Sequence, residues 1–273
     1  MEASTEFWLL VKYIFLGLFQ GFTEPIPISS SGHLSLLQSI FGMNLEGLQL
    51  EVLLNFGSLI AVLIVYRKDI VRLAQNGISY AVRKEEKNKS EFMFIVYLVI
   101  GTIPAGVLGL LFEDWIGETF KAPQLVGVTL IITGIALWII RNIRGSRGEG
   151  GLTWKDALIV GLAQSVALMP GISRSGATIV AAMLLGMKQE TALRFSFLLY
   201  VPISLGTMVM SIGDLLQDNI AEMWMLWLLA VLASIIATYY ALLWFMNIMA
   251  KGNLKYFAFY CFIVGAIAII ILG

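Results

Sequence analysis

Apolar runs of near-bilayer length recur along this chain, and they restrict its fold more than any other feature. A helix crossing the ~30 Å hydrocarbon layer needs about 20 mostly apolar residues. Runs of this character occupy Val52–Tyr66, Phe92–Phe112, Gln124–Ile140, Phe195–Ile212, Trp224–Phe245 and Tyr256–Leu272, with short polar segments between them. Across the chain 59% of the 273 residues are hydrophobic and 13% are charged, and mean hydropathy is +0.86, which excludes an ordinary water-soluble domain. The expected fold class is an all-α polytopic membrane protein with about six transmembrane helices.

Two apolar stretches do not fit a simple crossing. Phe7–Phe22 and Ala157–Met169 each run into a Pro/Gly/Ser cluster and then a second short apolar run. Each is expected to be a re-entrant helix–loop–helix hairpin, a form allowed at membrane depth only where bare backbone is buried in protein or lines a polar cavity.

Charge placement sets an orientation. The segment Arg67–Glu91 holds seven Lys/Arg, Arg141–Lys155 holds four, and the 246–255 turn holds Lys251 and Lys255, whereas Glu113–Lys121 and Asp214–Glu222 are mainly acidic. Cytoplasmic loops carry the Lys/Arg excess, so both termini are expected to face outward. The first hydrophobic stretch lacks the basic flank and small-residue cleavage site of a removable signal and is expected to remain. The net charge of zero gives no nucleic-acid footprint. The single cysteine, Cys261, reads as a buried free thiol.

Residues 17–33 (GLFQGFTEPIPISSSGH) align without a gap over residues 161–177 (GLAQSVALMPGISRSGA), offset by 144. Seven positions are identical: Gly17/Gly161, Leu18/Leu162, Gln20/Gln164, Ile28/Ile172, Ser29/Ser173, Ser31/Ser175 and Gly32/Gly176. An odd number of spans separates the copies, which reverses their orientation. One membrane domain over 1–273 is expected, built as an inverted-topology repeat with halves at about 1–140 and 141–273 and its site at the midplane.

Glu24 and Arg174 are ionisable groups in apolar surroundings, one in each copy, and intramembrane charge marks function by default. In the first loop Ser29, Ser30, Ser31 and Gly32 open a short helix whose free N–H groups suit phosphate. The second loop keeps that frame in Ser173, Ser175, Gly176 and Thr178 and places Arg174, with its planar fork of donors, where the first has Ser30. Two helix starts, a guanidinium and several hydroxyls make a diphosphate cradle that would also stabilise charge developing in phosphoryl transfer. Ser30 is the expected nucleophile, with water as the alternative, and Glu24 or His33 its activator. His33, the one histidine, has general base, general acid and leaving-group donor open to it.

Other features read as architecture. Trp224 and Trp227 suit an interfacial belt, Gly101, Gly106 and Gly109 suit close helix packing, and Glu51 and Arg194 at the starts of equivalent spans are a candidate ion pair.

These residues resemble the bacterial undecaprenyl-diphosphate phosphatase family, also known for bacitracin resistance, through nearly the whole chain. The first family signature is matched by Gln20, Glu24, Pro27, Ser29, Ser30, Gly32 and His33, and the second, Pro-Gly-x-Ser-Arg-Ser-Gly-x-Thr, by residues 170–178. Gly101–Gly106 and Arg194–Phe197 also look like the family's. The resemblance implies a cytoplasmic-membrane enzyme with its site open to the outer face, converting undecaprenyl diphosphate to undecaprenyl phosphate and so recycling the lipid carrier of envelope polymers. It implies a magnesium or calcium ion, with Glu24 as ligand, and a homodimer. Carried over by position, Glu24, Ser30, His33 and Arg174 form the catalytic set, with Gln20 as an accessory. Gln20 and Pro25 depart from the family's pattern; many members have a second acid at the first position, so Glu24 carries more here.

The rival class is a prenyl-phosphate lipid transporter or flippase, which uses the same inverted repeat and midplane anion site. Transport needs Arg174 and the hairpin backbone but no nucleophile, so dependence on Ser30 and His33 separates the two.

Overall fold

A computed structural model describes the backbone of residues 2–40, 49–119, 122–217 and 220–272. The acidic segments Glu113–Lys121 and Asp214–Glu222 contribute to the expected orientation, and their residues 120–121 and 218–219 lie outside the described ones. Among the described residues every extended element is a helix: α1 (Glu2–Thr23), α2 (Ser30–Ile40), α3 (Gln49–Val65), α4 (Arg67–Arg83), α5 (Lys89–Thr119), α6 (Pro123–Ile140), α7 (Trp154–Val166), α8 (Arg174–Leu184), α9 (Gln189–Gln217), α10 (Ile220–Ala250) and α11 (Lys255–Ile271).

Each expected span is a helix. Segments Glu86–Phe112, Pro123–Ile140, Gln189–Gly213 and Trp224–Ala250 are long and apolar enough to cross a membrane. The 17 residues of α3 rise about 26 Å at ~1.5 Å per residue, close to the hydrocarbon thickness. The chain is thus a multi-pass membrane protein. Residues that would be anomalous in water, such as Ile103, Val107 and Leu110 on α5 and Ile132, Ile135 and Ile139 on α6, are exposed in rows one or two turns apart, as lipid-facing stripes are.

The basic segment Arg67–Glu91, read as a loop, is mostly helical. After a 72° bend from α3, α4 carries Arg67, Lys68, Asp69 and Arg72 in its first turns while exposing Val71, Ile78 and Val82 along one side. Charges at helical spacing with an apolar stripe opposite suit a helix lying at the membrane surface rather than crossing it. The expected Glu51–Arg194 pair also fails to form. Arg194 is buried against Asp69 of α4, with Nε to Oδ2 at 2.6 Å and Nη2 to Oδ1 at 2.9 Å, and it ion-pairs with Glu149.

Both expected interruptions are present. α1 stops where Pro25 and Pro27 remove backbone donors, and α2 begins at Ser30; α7 stops before Pro170, and α8 begins at Arg174. Thr153 and Asp156 start α7 as a reciprocal capping box. Glycines bring these broken helices close to their neighbours. A Cβ on Gly17 or Gly21 of α1 would stand 2.1 or 2.3 Å from the carbonyl oxygens of Ala230 or Ser234 on α10. A Cβ on Gly161 of α7 would stand 2.4 Å from the carbonyl oxygen of Gly101 on α5. The equivalent glycines 17 and 161 thus do the same work in each half. Gly101 packs as expected, but a Cβ on Gly106 would meet nothing within 4 Å and one on Gly109 only Leu168 at 3.8 Å, so close packing does not require those two.

Gly161→Leu is therefore expected to destabilise the protein by about 2 kcal/mol or more, as overpacking does, while Gly106→Ala stays within ~0.5 kcal/mol. Thermal unfolding of both variants in one detergent measures the difference.

Candidate active site

The two interruptions meet tip to tip. A Cβ on Gly32 would lie 2.7 Å from Cα of Gly171, and one on Gly176 would lie 3.4 Å from Cβ of Pro27. With the offset of 144, Gly32 corresponds to Gly176 and Pro27 to Gly171, so each copy of the repeat meets the other through matching positions. Each tip is capped in the same way. Ser29 Oγ accepts from Gly32 N at 3.3 Å and approaches Ser31 Oγ at 3.4 Å; Ser173 Oγ accepts from Gly176 N at 3.1 Å and approaches Ser175 Oγ at 3.2 Å. Ser175 Oγ donates to the Ile26 carbonyl across the junction at 3.4 Å.

Outside elements fix the tips. On α6, Thr129 Oγ1 donates to the Pro170 carbonyl at 2.6 Å and Thr133 Oγ1 to that of Gly171 at 3.1 Å. Gly171 has φ +89°, and a Cβ there would fall 1.9 Å from Thr129 Oγ1, so this turn admits glycine alone. The first tip is held from α11: His33 Nδ1 lies 2.8 Å from the Ser29 carbonyl, and Nε2 lies 2.9 Å from Tyr260 Oη with the rings stacked at 5.4 Å. A carbonyl only accepts, so Nδ1 carries a proton and donates to Ser29. Ser29 itself has φ +67°, a strained setting for a residue with a side chain, immediately before Ser30.

Glu24 is the hub. Its Oε1 accepts from Arg174 Nη2 at 2.5 Å and Asn55 Nδ2 at 3.3 Å; its Oε2 accepts from Gln20 Nε2 at 2.9 Å and from the Ser30 hydroxyl. The carboxylate side chain is only 8% exposed and Arg174's is 23%, so the pair is largely shielded from solvent. The guanidinium lies 4.4 Å from the Tyr200 ring centroid and donates to Ser204 Oγ at 3.4 Å, while Tyr200 Oη donates to Asn55 Oδ1 at 3.1 Å. That last bond turns the Asn55 amide so that its NH₂ faces Glu24. Beside the pair is a cavity of about 20 Å³ bordered by Glu24, Arg174, Ser175 and Thr178, room for roughly one water and too small for a diphosphate. Thr178 is hydrogen-bonded to Ser196 at this wall.

Of the residues singled out in the sequence, Gln20, Glu24, Ser30 and Arg174 share one hydrogen-bonded cluster. Ser29, Ser31, Gly32, Ser173, Ser175 and Gly176 form the two caps, and Thr178 the wall. His33 stands apart, with both nitrogens engaged elsewhere. Asn55, Tyr200 and Ser204 were missed. Asn55 was visible as a lone amide within the run Val52–Tyr66, whereas nothing in sequence ties Tyr200 or Ser204 to Glu24.

No group of three or more His, Cys, Asp or Glu side chains able to hold a metal occurs among the described residues. Glu24 is the carboxylate of the cluster, and Glu51 lies one turn before Asn55, which bonds Glu24, on α3. Two carboxylates fit a magnesium or calcium ion that takes its other oxygens from phosphate and water, and do not fit a closed protein cage.

Together these features define a multi-pass membrane protein with a shielded polar cluster where two broken helices meet. The family described as Bacitracin resistance protein BacA matches residues 13–267, and the chain belongs to it. Undecaprenyl-diphosphatase 3 of Bacillus anthracis is 60% identical over 268 residues, covering 98% of this chain and 99% of that one. The undecaprenyl-diphosphatase of Oceanobacillus iheyensis is 56% identical over 275 residues with full coverage of both chains. The family expected from the motifs is thus confirmed.

Replacing Arg174 with Ala leaves the Glu24 carboxylate shielded without its counter-charge and is expected to cost about 3 kcal/mol, with Glu24→Gln/Arg174→Met regaining most of it. Unfolding of the single and double variants checks this.

Proposed function

We propose that the chain removes the terminal phosphate of undecaprenyl diphosphate, giving undecaprenyl phosphate and inorganic phosphate, with the two tips as its active site. The observation that carries this reading is that Ser30 and Arg174, equivalent positions of the repeat, both bond the same carboxylate. A nucleophile, its base and a phosphate clamp are then one constellation. The near-full-length relatives named undecaprenyl-diphosphatase support the substrate.

In the resting arrangement Glu24 neutralises Arg174. An arriving diphosphate competes for the guanidinium and for the N–H groups at the starts of α2 and α8, and the cavity must widen to admit it. Glu24, released from Arg174, takes the Ser30 proton as Oγ attacks the terminal phosphorus. The bridging P–O bond breaks, and undecaprenyl phosphate leaves. Glu24 passes that proton to the departing phosphate or to solvent and is a carboxylate again. Water then attacks the phosphoserine, one of its protons goes to Glu24 and from there to Ser30 Oγ as the P–Oγ bond breaks, and the Ser30 hydroxyl is restored with release of phosphate. Arg174 and the caps stabilise the equatorial oxygens in both steps. Gln20 and Asn55 orient Glu24. His33 is a positioning residue that fixes the strained Ser29 turn; proton transfer by its ring would require it to leave Tyr260. A divalent cation held by Glu24, with Glu51 near, would neutralise phosphate charge.

The same reading makes the chain one domain over 1–273, two inverted halves whose hairpins α1–α2 and α7–α8 enter from opposite faces. The reciprocal tip contacts and the matched glycine packing support it. With basic segments inside, the site opens to the outer face of the bacterial cytoplasmic membrane, and the protein works as a homodimer.

Phosphate release from undecaprenyl diphosphate by purified protein in detergent tests this directly. Ser30→Ala is expected to lose about a thousandfold or more and Arg174→Lys about a hundredfold, since Lys lacks the fork. A native protein that moves the lipid between vesicle leaflets without releasing phosphate would instead be a carrier. Chelation is expected to lower the rate by about tenfold, restored by magnesium or calcium; an unchanged rate removes the cation from the account.

A further inference from the structure

A second cavity, about 280 Å³, lies on the other side of the first tip, walled by Phe19, Phe22, Ile26, Ile28, Trp244 and Tyr260. The segment 24–29 is therefore a partition: Glu24 and Pro25 border the polar cavity, while Ile26 and Ile28 border this one. No charged residue lines it. The Thr23 hydroxyl is turned to the Phe19 carbonyl at 2.8 Å and that of Tyr260 to His33, while Tyr256 sits exposed at the rim. Phe22 and Trp244 stack at 5.8 Å beside the opening. A diphosphate finds no charged partner here, and the lining suits a hydrocarbon chain.

We propose that this cavity holds a stretch of the substrate's prenyl chain, an inference that rests on the phosphatase reading and extends it. Two observations favour the substrate's chain over a bilayer acyl chain. The cavity and the head-group site flank the same segment 24–29, so a chain that rounds this segment brings one molecule to both. It is formed by the end of α10 and the start of α11, next to the basic turn holding Lys251 and Lys255; in the proposed orientation a lipid with its head at the outer opening sends its chain that way. The volume is just below the ~300–1,000 Å³ typical of small-molecule pockets, so only part of a long chain enters. Lipid tails are as apolar as this wall, so occupancy gains packing rather than escape from water and acts as a moderate selector of chain type.

The test uses a Trp244→Cys/Cys261→Ala protein before and after labelling with a bulky maleimide, so the comparison is within one folded protein. Labelling is expected to raise KM for undecaprenyl diphosphate about fivefold or more while isopentenyl diphosphate, too short to reach the cavity, changes less than about twofold. Equal effects on both substrates, or none on either, overturn the proposal and leave the cavity to bilayer lipid or to packing. Hydrolysis by the unlabelled protein is the separate check on the phosphatase reading; its absence overturns both.

Discussion

The structure depends on one ion pair. A carboxylate shielded from water within a membrane protein is strongly disfavoured unless it is paired and fully hydrogen-bonded. Glu24 meets that requirement only because Arg174 arrives from the other half of the chain, 150 residues away, with Gln20, Asn55 and Ser30 filling the remaining acceptor positions. Satisfying Glu24 and assembling the proposed catalytic group are therefore one event, and the fold must bring the two tips into register for either to occur.

Much of the remaining architecture serves that register. Gly32 and Gly171 let the two backbones touch, and Thr129, Thr133 and the His33–Tyr260 pair tie each tip's carbonyls to α6 or α11. Farther out, Ser58 of α3 bonds Ser234 and Thr238 of α10 at 3.2 and 2.9 Å, and Tyr200 of α9 bonds Asn55 of α3. Hydrogen bonds between helices matter here because water is not available to replace them.

Spans, interruptions and the cluster's core were legible in sequence for local reasons. Run length marks a crossing, Pro25, Pro27 and Pro170 mark the breaks, and the offset of 144 places Ser30 opposite Arg174. The failures have physical causes too. Charge content hid α4, since a surface helix and a basic loop have similar composition. The Glu51–Arg194 pairing failed because equivalence along two spans does not place their ends together; Asp69 and Glu149 reach Arg194 instead. Adjacency in sequence suggested that His33 faces Ser30, but the left-handed turn at Ser29 and the tie to Tyr260 hold the ring elsewhere. Tyr200 and Ser204 join the site only through the packing of α9, which no local pattern records.

The central claim is that the carboxylate holding Arg174 in the resting protein also frees Ser30 to attack. Rapid-quench mixing of the protein with undecaprenyl diphosphate radiolabelled in its terminal phosphate, followed by peptide mapping, measures this most directly. Label is expected on Ser30 at early times, decaying as phosphate appears, and that labelled species is expected to be lost in Glu24→Gln. Label passing straight to inorganic phosphate, with none on Ser30 at any time, would contradict it and make water the nucleophile.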